Sequence, residues 1–350
     1  MTLMSKQLRN HILIFIGSAA LVLPTAALSS SAEDFYKGRD ITVAVGFSAG
    51  SAYDLYARLL ARQMPEHLPG KPNMIVQNMP GAGSLKVANY LYAVAPKDGT
   101  VFGIFARGVP TEPLIGAGQV QYDASKFTWI GSVSSVASIC ATWHETPIKT
   151  LEDLLSKPSV FGGEGAGSNT ATYPVIIKSL FNAPIKLIVG YPGGNEINLA
   201  MEQREVDGRC SWSWSAVKGT KPDWIKDRKI NIIMQLGLKK NHELPDVPSV
   251  MDLAKTDRQR QILKLVFSGQ DMGWPFAAPP GIPEDRKHTL RAAFTKTIND
   301  STVLVRADEA KLEVVDPMSG AEVENLVADM YATAPAILAE AKEIMAQGAR

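Results

Sequence analysis

Three apolar, β-branched runs alternate with two helical patterns in the first third of the chain, and this alternation restricts the fold more than any single motif. "ITVAVGF" (41–47) leads into a helix over about 52–64, where Leu55, Leu59 and Leu60 share one face. "NMIVQNM" (73–79) precedes the helical stretch "PGAGSLKVANYLYAVA", and "TVFGIFA" (100–106) follows the turn "APKDG". A βαβαβ succession places its strands side by side and parallel, joined by right-handed crossovers. After the Gly- and Pro-containing passage 110–118 the pattern restarts: "SICATW", "TLEDLLS", "SVFGG", a helix over about 170–180, "IKLIVGY", a helix over about 195–203, "GRCSWSW" and "INIIMQL". A second α/β unit is therefore expected from about residue 131. Further on, "WPFAAPPGIP" reads as strand and loop, a helix opens at Pro283, and an alanine-rich helix is expected over about 321–347. The pieces describe an α/β protein of two lobes with a cleft between them.

The first 32 residues follow a different pattern. Lys6, Arg9 and His11 precede the apolar run "ILIFIGSAALVL", then Pro24 and the small-residue patch "LSSSA". This is the pattern of a secretory signal peptide, with cleavage expected after Ala32 or Ala27. The strongly apolar run is about 12 residues, short of the roughly 20 that a membrane span needs. No cysteine follows it for lipid attachment, so the mature product is expected free in the periplasm. The chain holds 36 Lys and Arg against 35 Asp and Glu, and loss of Lys6 and Arg9 leaves 34 against 35. Such a balance excludes nucleic acid and anionic membrane surfaces as expected partners. Cys140 and Cys210 lie in β-like runs of the exported part, where a disulfide is permitted if the strands meet. Two buried free thiols are the alternative.

Four strand-to-helix junctions share one composition: "FSAGSAYD", "MPGAGS", "GEGAGSNT" and "YPGGNE". Glycine lets backbone N–H groups approach a ligand, and a helix start offers unsatisfied donors with partial positive charge. Several such starts converging on one cleft suit a carboxylate. None completes a nucleotide motif, so no cofactor is expected. Gly46-Phe47-Ser48-Ala49-Gly50 has the G-x-S-x-G form of a hydrolase nucleophile elbow. A triad would need His67, His144, His242 or His288 beside Ser48, with Asp207 or Glu196 to orient it. Ser48 lies about 16 residues into the mature chain, and no earlier loop is available for an oxyanion hole. The histidines are isolated, with no metal-chelating spacing. Neither hydrolysis nor metal catalysis is expected, and the chain reads as a non-enzyme.

At these same residues the chain resembles the extracytoplasmic solute-binding receptors of tripartite tricarboxylate transporters, the Bug or TctC-like family. The resemblance is carried by Phe35-Tyr36, Phe47 to Asp54, Ala57-Arg58-Leu59-Leu60-Ala61, "NMPGAGS", "APKDGT", "GSNTATY", "YPGGNEINLAMEQREVDG" and "FAAPPGIPEDRKHTL". It departs where the family has glycine, threonine and histidine: Ser51, Tyr53, and Ala171 or Thr172 stand there. The resemblance implies a two-lobed, type II-like periplasmic-binding-protein architecture, each lobe a mainly parallel sheet flanked by helices. It implies a leader over 1–32, a first lobe over 33–130, a second over 131–262, and a return to the first over 263–350 with the C-terminal helix. It also implies a monomer that holds a small organic carboxylate, di- or aromatic in the finer reading, for the membrane subunits of such a transporter. A receptor presenting its ligand to a membrane sensor is the alternative, and a serine hydrolase using Ser48 the third. The ligand-binding residues it implies are Ser48, Ala49, Gly50, Ser51, Ala52, Tyr53, Asp54, Gly81, Ala82, Gly83, Ser84, Gly167, Ser168, Asn169 and Thr170. To these the sequence adds Arg107, Tyr191, Gly193 and Trp212, with Tyr53, Trp143, Tyr191, Trp212 and Trp214 as candidate aromatic walls.

Overall fold

The computed structural model describes residues 32–116, 119–165 and 168–348. Residues 1–31, where the leader is expected, and Gly167 of the third glycine loop lie outside the described residues. The first sheet has the order β11-β4-β10-β3-β1-β2, formed by β1 (Asp40–Val45), β2 (Asn73–Asn78), β3 (Val101–Ile104), β4 (Thr128–Ser132), β10 (Pro275–Ala278) and β11 (Met318–Ser319). The second has the order β7-β6-β8-β5-β9, formed by β5 (Ser138–Trp143), β6 (Ser159–Gly163), β7 (Ile185–Val189), β8 (Gly208–Ser213) and β9 (Ile230–Leu236). The two-lobed α/β architecture is borne out. β1 lies between β2 and β3 and parallel to both, as the opening βαβαβ pattern requires. The intervening helices are Ala52–Gln63 and Leu85–Ala93.

Three expectations need correction. The sheets are mixed rather than mainly parallel: β10 runs antiparallel to β3 and β4, and β5 antiparallel to β8 and β9. These strands pair with partners distant in sequence, by returns across the molecule that the βαβ reading does not contain. The second unit does not begin near residue 131, because Gly131 and Ser132 belong to β4 and pair with β10 of the first sheet. The chain crosses before Ser138 instead. The C-terminal helix is two helices, Gly320–Tyr331 and Pro335–Gly348. Pro335 has no N–H and disfavours helical geometry at Ala334, so the first helix stops before it. The break lets Pro335–Gly348 pack against the helix Asn169–Phe181 of the other lobe.

Two connecting segments run side by side between the lobes. Val136 N–H donates to Gln270 O at 2.9 Å, Gly273 N–H to Ser134 O at 2.9 Å, and Val133 N–H to Trp274 O at 3.3 Å. Gln270 also uses its side chain, accepting from Arg107 Nη1 and Ser138 Oγ at 3.1 Å each and donating to Tyr173 Oη at 2.8 Å. Paired crossover strands of this kind bend together rather than independently, which suits a hinge. Within the second lobe, the antiparallel neighbours β5 and β8 carry a Cys140–Cys210 disulfide. No helix of the described residues is long and apolar enough to cross a membrane.

The disulfide joins positions 70 residues apart, and closing a loop of that size restricts the unfolded chain. A Cys140→Ala/Cys210→Ala variant is expected to lose roughly 2–4 kcal/mol in denaturant unfolding. A midpoint equal to that of the oxidised wild type would show that the bridge carries no stability.

Candidate functional site

The lobes meet at the carboxyl ends of β1, β2, β3, β6 and β7, the end of a parallel strand where a following helix presents its free donors. The first loop is organised from within. Ser51 caps the helix Ala52–Gln63 by accepting from Asp54 N–H at 3.3 Å. Asp54 Oδ2 accepts from Gly50 N–H at 2.8 Å and Arg58 Nε at 2.9 Å, and Oδ1 from Asn78 Nδ2 at 2.8 Å. Asn78 Nδ2 also donates to Phe47 O at 3.0 Å, tying the loop to the end of β2. Burial alone would raise the Asp54 carboxyl, but hydrogen bonds from Arg58, Gly50 and Asn78 outweigh it and hold it below its usual range. Asp54 thus orders the loop and has its oxygens turned inward.

The second loop passes behind the first. Ala82, Gly83 and Ser84 all have positive φ, at 50°, 63° and 73°. Two non-glycine residues in the left-handed region cost energy that neighbouring contacts must offset. Ser84 Oγ accepts from Ala106 N–H at 2.8 Å and is buried. A Cβ at Gly46 would stand 2.2 Å from Ser84 Cβ, so only glycine allows the two loops to touch. Across the seam, a Cβ at Gly165 would stand 2.8 Å from Gly83 N, which makes this a contact of backbone on backbone between lobes.

Between the lobes lies a cleft of about 600 Å³, open solvent included. From the first lobe it is lined by Phe47, Ser51, Ala52, Tyr53, Ala106, Arg107 and Trp274. The second lobe contributes Glu164, Asn169, Thr170, Gly194, Asn195, Asn198, Arg209, Ser211, Trp212 and Ser213, among others. A neighbouring chamber of about 710 Å³ is lined by Gly81, Ala82, Gly83, Gly165, Tyr191 and Pro192, and shares Phe47 and Glu164 with the cleft. Arg107 and Arg209 are only 2% and 4% exposed. Arg209 donates from Nη1 to Gly194 O at 2.7 Å and Asn198 Oδ1 at 3.0 Å. The Nε atoms of both arginines and Oδ1 of Asn169 are buried without a hydrogen-bond partner. Each guanidinium stands near an indole, Arg107 5.2 Å from the Trp274 ring and Arg209 5.1 Å from that of Trp212. Burial pulls Arg209 down to about 10, with Glu164 opposing and Arg107 adding to the fall. Burial pushes the Glu164 carboxyl up, against the lowering pull of Arg209, its bond from Thr170 Oγ1 and the charge of Arg107.

Of the residues expected at the site, Ser51, Ala52, Tyr53, Arg107, Asn169, Thr170 and Trp212 line the cleft, and Gly81, Ala82, Gly83 and Tyr191 the neighbouring chamber. Ser48, Gly50 and Gly193 lie at the seam instead. Ser48 Oγ donates to Glu196 Oε2 at 3.4 Å, Asn195 Nδ2 to Gly50 O at 3.2 Å, and Gly193 packs against Ser48. Ala49 is exposed, and Asp54, Ser84 and Ser168 spend their side chains on internal bonds. Trp143 and Trp214 are not walls of the cleft. Trp143 packs edge-on against Trp224, and Trp214 Nε1 donates to Glu243. Trp274 takes that place, with Arg209 and Glu164 as further residues the sequence reading passed over. The signal for Arg209 was present as a charge inside the otherwise strand-like run "GRCSWSW"; its burial follows from the central place of β8 in the second sheet.

Among the described residues, no hydrogen bond joins a histidine to Ser48, whose Oγ goes to Glu196. His67 pairs with Asp300, His144 sits edge-on to Trp143, and His288 lies near Glu284. No group of three or more His, Cys, Asp or Glu among the described residues is placed to hold a metal ion.

Solved structures of periplasmic solute-binding proteins share this two-lobed fold. MatC (Rpa3494) from Rhodopseudomonas palustris with bound malate matches with a TM-score of 0.69 at 19% identity, covering 88% of this chain and 99% of that one. The periplasmic binding protein BugD matches at 0.68 and 20% identity, covering 90% and 99%. R. palustris Rpa4515 with adipate matches at 0.67 and 20% identity, covering 87% and 97%. In sequence, the chain is 24% identical over 330 residues to the "UPF0065 protein in the TAR-I ttuE-ttuC' intergenic region" of Agrobacterium vitis, covering 91% of this chain and 90% of the relative. No protein-family model matches. The resemblance to the Bug or TctC-like receptors drawn from the motifs is borne out.

Because the Asp54 carboxyl is held below its unfolded value of about 3.9, its contribution to stability is complete above that pH and is lost as pH falls through the depressed folded value. Asp54→Asn is therefore expected to lower the melting temperature at neutral pH, the gap to wild type narrowing as the pH drops below about 4. A gap constant from pH 7 to 3 would remove Asp54 from its ordering role.

Proposed function

We propose that this chain is an exported, periplasmic solute-binding protein that captures a small organic carboxylate between its lobes and does no chemistry on it. The observation that carries the reading is the cleft itself: two buried guanidiniums with unpaired Nε donors, placed between lobes that share a paired-strand hinge. Buried donors of this kind call for a charged acceptor, since an unsatisfied buried polar group costs roughly 1–3 kcal/mol. Support comes from the bound malate and adipate in two proteins of the same fold. In the finer reading the solute is a di- or aromatic carboxylate, with Trp212, Trp274, Tyr53 and Phe47 available to a ring or apolar body. The closed receptor, acting as a monomer, delivers it to the membrane subunits of a tripartite tricarboxylate-type transporter. Ser51, Gly81 to Gly83 and Thr170 are proposed to frame the ligand, with Ser48 at the seam, the first lobe running from 33 to the crossing before Ser138 and completed by 263–350, and the second from there to 262.

A ligand that binds only the folded state raises apparent stability by mass action, about 2.7 kcal/mol at a hundredfold excess over Kd. Thermal unfolding against mono-, di- and tricarboxylates, aliphatic and aromatic, is expected to show a rise in melting temperature with a subset of them. Ser48→Ala is expected to weaken that response without abolishing it, because the hydroxyl serves the seam. A flat response to every acid, or an esterase activity lost in Ser48→Ala, would overturn the reading.

A further inference from the structure

The cleft holds two like charges that approach from opposite sides of the hinge. Arg107 lies three residues past the end of β3 in the first lobe, and Arg209 is within β8 of the second. Each is anchored through Nη1 to its surroundings, Arg107 to Gln270 and Arg209 to Gly194 and Asn198, which leaves the Nε side of each guanidinium free. An Nε–H with its neighbouring Nη–H is the fork that takes a carboxylate in parallel hydrogen bonds. Neither guanidinium meets a carboxylate at ion-pairing distance among the described residues. The nearby acids are otherwise engaged: Glu164 Oε2 accepts from Thr170 Oγ1 at 3.2 Å, and Glu196 Oε2 takes Ser48 Oγ. Burial pushes the Glu164 carboxyl up, against the lowering pull of Arg209, the Thr170 bond and Arg107. In a site walled by Trp212, Trp274, Tyr53 and Phe47, charges are screened far less than at the surface.

We infer that Arg107 and Arg209 are the specificity-determining pair of this cleft, because opposite lobes hold them and closure then depends on a negative charge placed between them. Without an anion, shutting the lobes brings two desolvated cations together and the seam contacts of Ser48, Asn195 and Gly165 must work against that repulsion. With an anion between them the same movement forms charge-assisted bonds to both lobes at once, so the solute's charge selects the closed state. The inference rests on the carboxylate reading of the cleft and deepens it by naming the side chains that discriminate an acid from its amide.

Two measurements test it. Small-angle scattering of the protein without added solute, at low ionic strength, compares wild type with Arg107→Gln/Arg209→Gln. The variant is expected to be the more compact, and added salt to narrow the difference. Calorimetric titration then compares adipate with its diamide, and malate with its diamide. Wild type is expected to prefer the acid, and Arg107→Gln to lose roughly tenfold or more of that preference, the scale of a charged hydrogen bond, whereas Arg107→Lys retains most of it. A merely structural arginine would weaken acid and amide alike. Arg209 also braces Gly194, so Arg209→Gln is read only where thermal unfolding shows a folded protein, and Arg107→Gln decides the question otherwise. Should wild type bind neither, an acid that raises its melting temperature is compared with its amide instead; a flat response to every acid fells the carboxylate reading and leaves scattering alone to judge the pair. An acid preference that survives intact in Arg107→Gln, or a double variant that scatters like wild type, overturns the inference.

Discussion

Taking Arg107 and Arg209 out of water at the seam between two lobes is the constraint to which the rest of the molecule answers. An effective penalty of several kcal/mol accompanies each buried ion, and a protein retains such groups only where other interactions offset the cost. Here the offset is partial: Gln270, Gly194 O and Asn198 satisfy one end of each guanidinium, and the indoles of Trp274 and Trp212 lie against them. Gln270 matters twice, because the residue that steadies Arg107 also bonds Ser138 and Tyr173 at the crossing between lobes. Arg107 and the crossing between lobes therefore share a side chain.

The glycine loops serve this arrangement by bringing backbone close to backbone. Gly46 and Gly165 are required by contact, the first with Ser84 and the second with Gly83 of the facing lobe. Asp54 then fixes the conformation that such bare chain would not hold alone, through Gly50, Arg58 and Asn78. The loops thus form the rim and a neighbouring chamber, while the charged residues stand deeper, on β8 and just past β3.

This division explains what the sequence made legible. Hydrophobic alternation located β1 to β3 and their helices, and the restart at "SICATW" located the second lobe, because both signals are local. The antiparallel entries of β5 and β10 were not visible, since strand direction in a returning segment is set by tertiary pairing. The expected boundary at 131 cuts through β4 for the same reason. At the site, helix-start chemistry pointed to loops that do gather at the seam. It passed over Arg209 and Trp274, whose importance comes from which face of a strand meets the other lobe. Trp143 and Trp214, equally aromatic and close in sequence to Cys140 and Cys210, turn instead into the packing of the second lobe.

The hydrolase look of Gly46 to Gly50 has a physical explanation in the same geometry. A nucleophile elbow and a closing rim both need a small hydroxyl at the end of a parallel strand, with glycine on either side so that another surface can approach. What separates them is where the hydroxyl proton goes. In an elbow it is handed to an imidazole held by a carboxylate; here Ser48 directs it to Glu196, the first-turn acid of a helix on the opposite lobe. That hydrogen bond exists only when the lobes are shut. A serine so placed ties one lobe to the other, its proton going to a carboxylate rather than to an imidazole.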